Sequence, residues 1–467
     1  MSAKLKFLLL SVVCVVGFTS LSFELIILRQ MVNFVGSNAI ITSIVMAVIL
    51  LFLSLGYYIG SVINFRLHHQ RNNMIRLLDC LCIWYALVCS YGFMESVFRF
   101  LFFNNMMAAR WNVFIYSLLF LSFPSVVLGY ITSVIGRFVH HFNANYTGRF
   151  MAVDTIGSVT GSLLTTLVLM PFWGMNNTIL FLCCLTAGAS FALAAKRQPV
   201  TYGIKLLFFI GLAFFILNYK IMPVRRQLIK DDAISRMEVL EQTEDDVKYV
   251  RLFINGQNAS AYSEDENKMF GYIKFINKNF INTSPNDKKH DILVLGAGIF
   301  TVGVNDKRNN YTYVDIEKNL PEVAEKYFFG EALPENKEFV FAEAYLYMLK
   351  NQKQYDIIVV DLYSAVRSIP ENFVTKDFFE MVKKHLKPGG IMIANIITSP
   401  SFTDKFSLRI DNTLREVFTQ GLSRQIIQDF NPYERSLVNV IYFYADKPLD
   451  KTVYTLDKNS SAYGQDY

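Results

Sequence analysis

Apolar positions crowd into the first half of the chain. Seven runs, at residues 7–28, 39–64, 77–102, 111–139, 151–171, 176–195 and 202–219, approach or exceed the length a helix needs to cross a bilayer core, about 20 residues. From residue 220 the pattern changes. Residues 220–235 read as a basic linker with Arg225, Arg226 and Lys230. Two β-rich runs, 237–242 and 249–256, flank the polar stretch Thr243-Glu-Asp-Asp and predict a hairpin. Residues 265–281 predict a helix. Short apolar strands at 291–296, 311–316, 338–342, 355–361 and 390–396 then alternate with helices at 320–329, 344–350, 374–386 and 403–418, and a last strand falls at 438–445. That alternation predicts a doubly wound parallel sheet. Three regions follow: 1–219 helical and membrane-spanning, 220–289 linker, hairpin and helix, and 290–467 an α/β nucleoside-binding domain.

Composition sharpens this picture. The 467 residues are 52% hydrophobic and carry a net charge of +6, which is too modest and too scattered for a nucleic-acid surface. All six cysteines lie before residue 185. The second half therefore holds no disulfide framework and no thiolate metal site, and no metal is expected. The first apolar run is too long for a cleaved signal, lacks a small-residue cleavage site, and contains Glu24.

Basic residues orient the spans. Lys4 and Lys6 precede the first; Arg66, Arg71 and Arg76 follow the second; Arg137 and Arg149 flank the fourth-to-fifth link; Lys196 and Arg197 follow the sixth. The alternate links hold only Arg29, Arg99 and Arg110. This bias puts the N-terminus in the cytoplasm. Seven spans then export the second half. Yet Lys220, Arg225, Arg226 and Lys230 follow the last span, and by the same rule such a cluster stays inside. The expectation is a cytoplasmic second half, with a re-entrant turn or an extra crossing hidden in 77–102 or 111–139, which carry Glu95 and Pro124. Within the spans, Glu24 and Asp154 are costly ionisable residues. Both read as buried hydrogen-bond partners or as a transport or ligand site. Gly157 and Gly161 beside Asp154 form a small-residue face that admits a close helix neighbour.

In a doubly wound sheet, ligands lie beyond the strand C-termini. Gly296-Ala-Gly298 ends the first such strand, where a missing Cβ lets a ligand approach the backbone. Asp315 lies 19 residues on, with Glu317 just after it, placed to accept bonds from ribose hydroxyls. Glu343 follows the third strand, facing a nucleobase or solvent. Asp361 ends the fourth, as a catalytic group or a helix N-cap.

These residues resemble a known family, the polyamine aminopropyltransferases or spermidine synthases. The hairpin, Asn255-Gly256-Gln257, Tyr272, Gly296-Ala-Gly298, Val314-Asp315-Ile-Glu317, the Asp361 strand end, Phe373-Val-Thr375-Lys-Asp-Phe-Phe379 and Leu386-Lys-Pro-Gly389-Gly390 fall in that family's order. The first half resembles the membrane-embedded branch of the same family, through Phe23-Glu24-Leu-Ile-Ile-Leu-Arg29, Gly56-Tyr-Tyr-Ile-Gly60-Ser61 and Ala152-Val-Asp154-Thr-Ile-Gly157-Ser158. The resemblance implies a helical membrane domain followed by a Rossmann-like, methyltransferase-type α/β domain with an N-terminal β-hairpin. It implies transfer of an aminopropyl group from decarboxylated S-adenosylmethionine, a co-substrate and not a tightly bound cofactor, to a small-molecule amine. It places Gly296, Gly298, Asp315 and Glu317 on the nucleoside, Glu343 near the adenine, Asp361 as proton acceptor, and Gln257, Tyr272, Tyr363 and Ser364 toward the amine. The partners implied are the amine and a lipid bilayer, with a homo-oligomer left open. The expected location is multi-pass in a bacterial inner membrane. The family's Gly-Gly-Gly-Asp-Gly is reduced here to Gly296-Ala-Gly298-Ile-Phe300, its Tyr-His-Glu becomes Tyr272-Ile-Lys274, and its Asp-Ser-Ser-Asp becomes Asp361-Leu-Tyr363-Ser364. Those changes leave two other readings: a catalytically inactive nucleoside or polyamine sensor on a transporter or scaffold, and a methyltransferase using intact S-adenosylmethionine.

Overall fold

The computed structural model describes residues 3–445 apart from 36–38, 64–66, 105–108, 143–145, 195–198, 219–225, 245–246, 266–267, 283–288, 363–368, 370 and 428–436. The chain forms two compact units. One holds the described residues up to Glu241 with Arg251–Ala259; the other holds Gln242–Val250 and the described residues from Ser260 onward.

The first unit is a helical bundle. Its helices are α1 (Ala3–Val35), α2 (Ala39–Val62), α3 (Leu67–Val88), α4 (Tyr91–Asn104), α5 (Ala109–Tyr116), α6 (Ser122–Phe142), α7 (Thr147–Leu164), α8 (Met170–Trp173), α9 (Met175–Ala194) and α10 (Pro199–Asn218). Single π turns at Ser117–Leu121 and Thr165–Leu169 join α5 to α6 and α7 to α8 without breaking either run. Among the described residues, six helical runs are long and apolar enough to cross a membrane, and a bent pair makes a seventh. That pair is α3 and α4, which meet at 65° across Ser90. The sequence run 77–102 therefore does hide a turn, whereas 111–139 is one continuous helix from Arg110 to His141.

Small residues set how closely the helices pack. A Cβ at Gly157 would strike the Cys14 carbonyl, and one at Gly161 the Phe18 carbonyl, so α7 lies directly on α1. Gly56 faces Val126 and Gly129 faces Leu53, locking α2 to α6 in the same way. Aromatic side chains fill the centre: Phe23 packs on Tyr85, and Phe98 lies between Phe34 and Tyr116.

The hairpin expected at 237–256 is larger than predicted. Four strands, β1 (Gln227–Asp231), β2 (Arg236–Glu244), β3 (Val247–Ile254) and β4 (Gln257–Ser263), form a sheet in that order. Strand β1 occupies what reads in the sequence as linker. Its ladder to β2 is antiparallel with a bulge between Leu228 and Lys230. The tight link to β4 follows from Asn255 and Gly256, both at positive φ.

The second unit carries a seven-stranded sheet. Its elements are α11 (Gly271–Ile276), β5 (Asp291–Leu295), β6 (Asn310–Asp315), α12 (Leu320–Val323), β7 (Lys337–Phe341), α13 (Ala344–Lys350), β8 (Tyr355–Val360), α14 (Lys376–Lys384), β9 (Leu386–Thr398), α15 (Lys405–Val417), β10 (Leu422–Ile426) and β11 (Val438–Ala445). The order is β10-β11-β9-β8-β5-β6-β7. Strands β7, β6, β5, β8 and β9 run parallel. Strands β11 and β10 add antiparallel, so the sheet is mixed, not purely parallel as the alternation predicts. The central strands Leu293–Leu295 and Ile358–Val359 are buried on both faces, which is why they read as unbroken apolar runs.

Candidate active site

Strand order reverses at β5. The chain goes from β5 to β6 and β7 on one side, then returns to place β8 on the other. The crevice at such a switch point is where an open α/β sheet binds ligands. The register sets what stands there. Leu295 is level with Val314 and Val360, so Gly296, Asp315 and Asp361 emerge side by side. Gly296 and Gly298 hold φ of +89° and +51°, and a Cβ on Gly296 would strike the Asp361 carbonyl. Only glycine allows the loop to turn this close to β8. A Cβ on Gly298 would meet the Ser260 hydroxyl, so β4 backs the loop.

Asp315 ties this loop together. Its Oδ2 accepts the Ala297 N–H at 2.9 Å and its Oδ1 the Glu317 N–H at 2.9 Å. Burial pushes its carboxyl up to about 6, against the pull of the bonds from Glu317 and Ala297. Each carboxylate oxygen keeps a further acceptor direction for a hydroxyl. Glu317 is buried beside it.

Asp361 is held from two sides. The Tyr272 hydroxyl on α11 donates to Oδ2 at 2.8 Å, and the Asn395 amide on β9 donates to Oδ1 at 2.9 Å. Burial raises the Asp361 pKa; the two bonds, Asn395 first, oppose that rise. The result is a carboxylate with both oxygens oriented and some of its basicity restored by desolvation. A group so poised can take a proton from a bound ligand.

The other candidates divide. Glu343 is the N-cap of α13: its oxygens accept the Tyr345 N–H at 3.1 Å and the Leu346 N–H at 2.8 Å. Its local role is thus capping. Gln257 opens β4 and groups with the first unit. Tyr363 and Ser364 lie outside the described residues. In the bundle, Glu24 is buried on α1, and Asp154 sits on α7 where that helix meets Gly17 of α1.

Sequence reasoning missed three groups. Asn395 is a lone amide inside the apolar run Ile391-Met-Ile-Ala-Asn395-Ile-Ile, 4% exposed, and that isolated polar position was the available signal. Asp79 of α3 and Lys205 of α10 form an ion pair inside the bundle, with the Ser190 hydroxyl donating to Asp79 at 2.7 Å. Their separation in sequence gives no hint of the pairing.

Residues 269–427 match the family model described as spermine/spermidine synthase domain. A probable polyamine aminopropyl transferase of Bifidobacterium longum is 27% identical over 139 residues, covering 29% of this chain and 30% of that protein. A polyamine aminopropyltransferase 2 of Hyperthermus butylicus is 29% identical over 154 residues, covering 31% of this chain and 48% of that protein. The chain thus matches less than half the length of either. Among solved structures, a probable spermidine synthase from Corynebacterium glutamicum aligns at 20% identity with a TM-score of 0.39, over 49% of this chain and 82% of that one.

Proposed function

We propose, since residues 269–427 belong to the spermine/spermidine synthase family, that this chain is a membrane-bound aminopropyltransferase. Its donor is decarboxylated S-adenosylmethionine and its acceptor a small amine. The observation that carries the reading is Asp361, held between Tyr272 and Asn395 at the sheet's switch point.

The acceptor nitrogen attacks the aminopropyl carbon bonded to the sulfonium. A C–N bond forms, the C–S bond breaks, and its electron pair goes to sulfur, leaving a neutral thioether nucleoside. The new ammonium carries one proton too many, and Asp361 accepts it. An amine that arrives protonated cannot attack; in that case the carboxylate takes its proton before attack, freeing the lone pair, and the product nitrogen keeps the proton it still carries. The raised pKa of Asp361 suits it to that task better than an ordinary surface aspartate. Asp315, with the loop it ties, is assigned the ribose hydroxyls. Glu343 is assigned a place near the adenine, from the end of β7 beside α13. Nucleoside and amine held in line supply much of the rate enhancement.

Six apolar helices and one bent pair support a bilayer location. In that setting the close pairs α1–α7 and α2–α6 would hold the bundle by backbone proximity, as small-residue helix contacts do in lipid.

Calorimetry on the purified full chain, titrated with decarboxylated and with intact S-adenosylmethionine, tests the donor assignment. The decarboxylated donor should bind more tightly, and Asp315→Ala should weaken it by roughly 1.5–3 kcal/mol, the range for hydrogen bonds to a charged group. Tighter binding of the intact donor would favour methyl transfer, and unchanged affinity in a folded Asp315→Ala variant would remove that residue from the ribose.

A further inference from the structure

We infer that the region after Asn218 faces away from the cytoplasm, on the side of the membrane opposite the N-terminus. The inference rests on the bilayer reading above and reverses the expectation drawn from sequence.

The contacts within the first unit sort the helix ends into two groups. At one end, Lys6 of α1 lies over the Tyr146 ring just before α7, 3.6 Å from its centroid. Arg71 near the start of α3 donates to the Leu193 carbonyl near the end of α9 at 2.6 Å. Arg137 near the end of α6 donates to the Ile63 carbonyl just past α2 at 2.8 Å. At the other end, Asn176 at the start of α9 donates to the Leu217 carbonyl at the end of α10 at 3.2 Å. Arg29, toward the far end of α1, donates to the carbonyls of Asp232 and Ala233 at 2.9 and 3.0 Å. The Arg236 guanidinium stacks on Tyr91, which follows α3, 3.7 Å from the ring centroid.

These pairings fix the direction of each helix. Cys14 meets Gly157 and Phe18 meets Gly161, so α1 and α7 run parallel. Leu53 meets Gly129 and Gly60 meets Ser133, so α2 and α6 also run parallel. Asp79 meets Ser190 and Cys82 meets Cys183, so α3 and α9 run antiparallel. The chain therefore traverses the bundle in α1, α2, α3, α5 with α6, α7, α9 and α10. The turn at Ser90 adds no crossing, because Tyr91 starts α4 at the end that α3 has just reached. Seven traverses put the start of α1 and the end of α10 at opposite ends, and no later described helix is apolar enough to cross back.

Charge then says which end is inside. Of the described basic residues in and beside the short links, six fall at the N-terminal end and three, Arg29, Arg99 and Arg110, at the other. That bias places the N-terminal end in the cytoplasm. The opposing cluster after α10 weighs less, because long translocated regions follow the spans largely regardless of charge. Two of its members are also ion-paired with acids of the sheet: Arg226 with Glu238 at 3.6 Å and Lys230 with Asp232 at 3.1 Å.

The consequence concerns supply. A sulfonium nucleoside is permanently charged and does not pass a bilayer unaided. If the proposed transfer occurs on the outer side, a transport step, or a decarboxylation carried out on that side, must deliver the donor there.

Introduced cysteines test this in cells, and none of the six native cysteines lies after Cys184. Full-length Gln352→Cys and Lys4→Cys are exposed to a membrane-impermeant maleimide in intact spheroplasts and again after permeabilisation, with the parent chain as background. Both positions are exposed. The inference expects Gln352→Cys to label in intact spheroplasts and Lys4→Cys only after permeabilisation. The reverse pattern, or labelling of both only after permeabilisation, overturns the sidedness and leaves the bilayer reading standing. Recovery of the chain in the soluble fraction overturns both.

Discussion

At the scale of single residues, the site turns on how Asp361 is held. Asp361 was legible in the sequence because an acid at the end of an apolar strand has few reasons to be there. Its partner Asn395 was not, because a sequence does not show which neighbouring strand sets an amide level with it; that follows only from the register Val360 to Ala394. Asn395 donates to a carboxylate and so favours its ionised form. Asn395→Leu removes that donor, and the Asp361 pKa should rise further. The proposed proton acceptor acts only when ionised, so the acid limb of the kcat/KM profile should move to higher pH. The rate at neutral pH should drop by about tenfold, the low end for a hydrogen bond to a charged group. Asn395→Asp should move the limb further still, since two carboxylates so close share a proton. Steady-state rates across pH check both variants. An unmoved limb in folded protein would make Asn395 merely a packing residue. Asp315 was legible by its spacing from the glycine loop, but its use as the tie that shapes that loop was not.

At the scale of elements, the apolar runs coincide with helices long and apolar enough to cross a membrane, since length and hydropathy alone decide that property. They did not place the bend at Ser90, because the run from 77 to 102 holds no proline or glycine at the bend to interrupt it. The four-stranded sheet was read as two strands for a different reason. Strand β1 is rich in polar residues and short, and β4 reads Gln-Asn-Ala-Ser-Ala-Tyr-Ser, with little β-branched character. Helix pairing was hinted at by glycine spacing, and the partner helix was supplied only by the fold. A contrast of two glycines tests that pairing. Gly157→Ala forces a methyl against the Cys14 backbone and should destabilise the bundle by about 1–3 kcal/mol. Gly188→Ala on α9 meets nothing within 4 Å and should be neutral or stabilising by up to about 1 kcal/mol, from helix propensity. Thermal unfolding in one detergent compares them, and equal effects would contradict the α1–α7 packing.

At the scale of the whole molecule, the strand-and-helix alternation announced the doubly wound sheet and the last strand at 438–445, while the antiparallel pairing of that strand and the edge strand β10 were not announced. Strand β10 carries Ser423, Arg424 and Gln425, which look like loop residues until β11 pairs with them. The end of the sheet away from the site is pinned by charge. Lys387 bonds Asp291 and Asp356, each at 2.8 Å. The Lys387 bond holds the Asp291 carboxyl below its ordinary value, and for Asp356 burial pushes upward but is outweighed by Lys387. A depressed carboxylate stabilises the fold above its unfolded pKa of about 3.9, and that stability is lost as pH falls through the folded value. Lys387→Met should therefore lower the melting temperature at neutral pH, by an amount equivalent to about 1 kcal/mol or less for so exposed a network. The difference should close in acid below about pH 4. A difference that persists there would point to packing by the lysine stem instead.

The proposed reaction is aminopropyl transfer in the crevice at the end of β5 and β8, with Asp361 as base. The direct measurement is mass spectrometry of products from the purified full chain, incubated with decarboxylated S-adenosylmethionine and a panel of amines, beside Asp361→Asn. An amine heavier by one aminopropyl group should appear together with the thioether nucleoside, and Asp361→Asn should lower the rate by on the order of 100-fold with donor binding retained. Donor binding without transfer to any amine, or full transfer by Asp361→Asn, would contradict it.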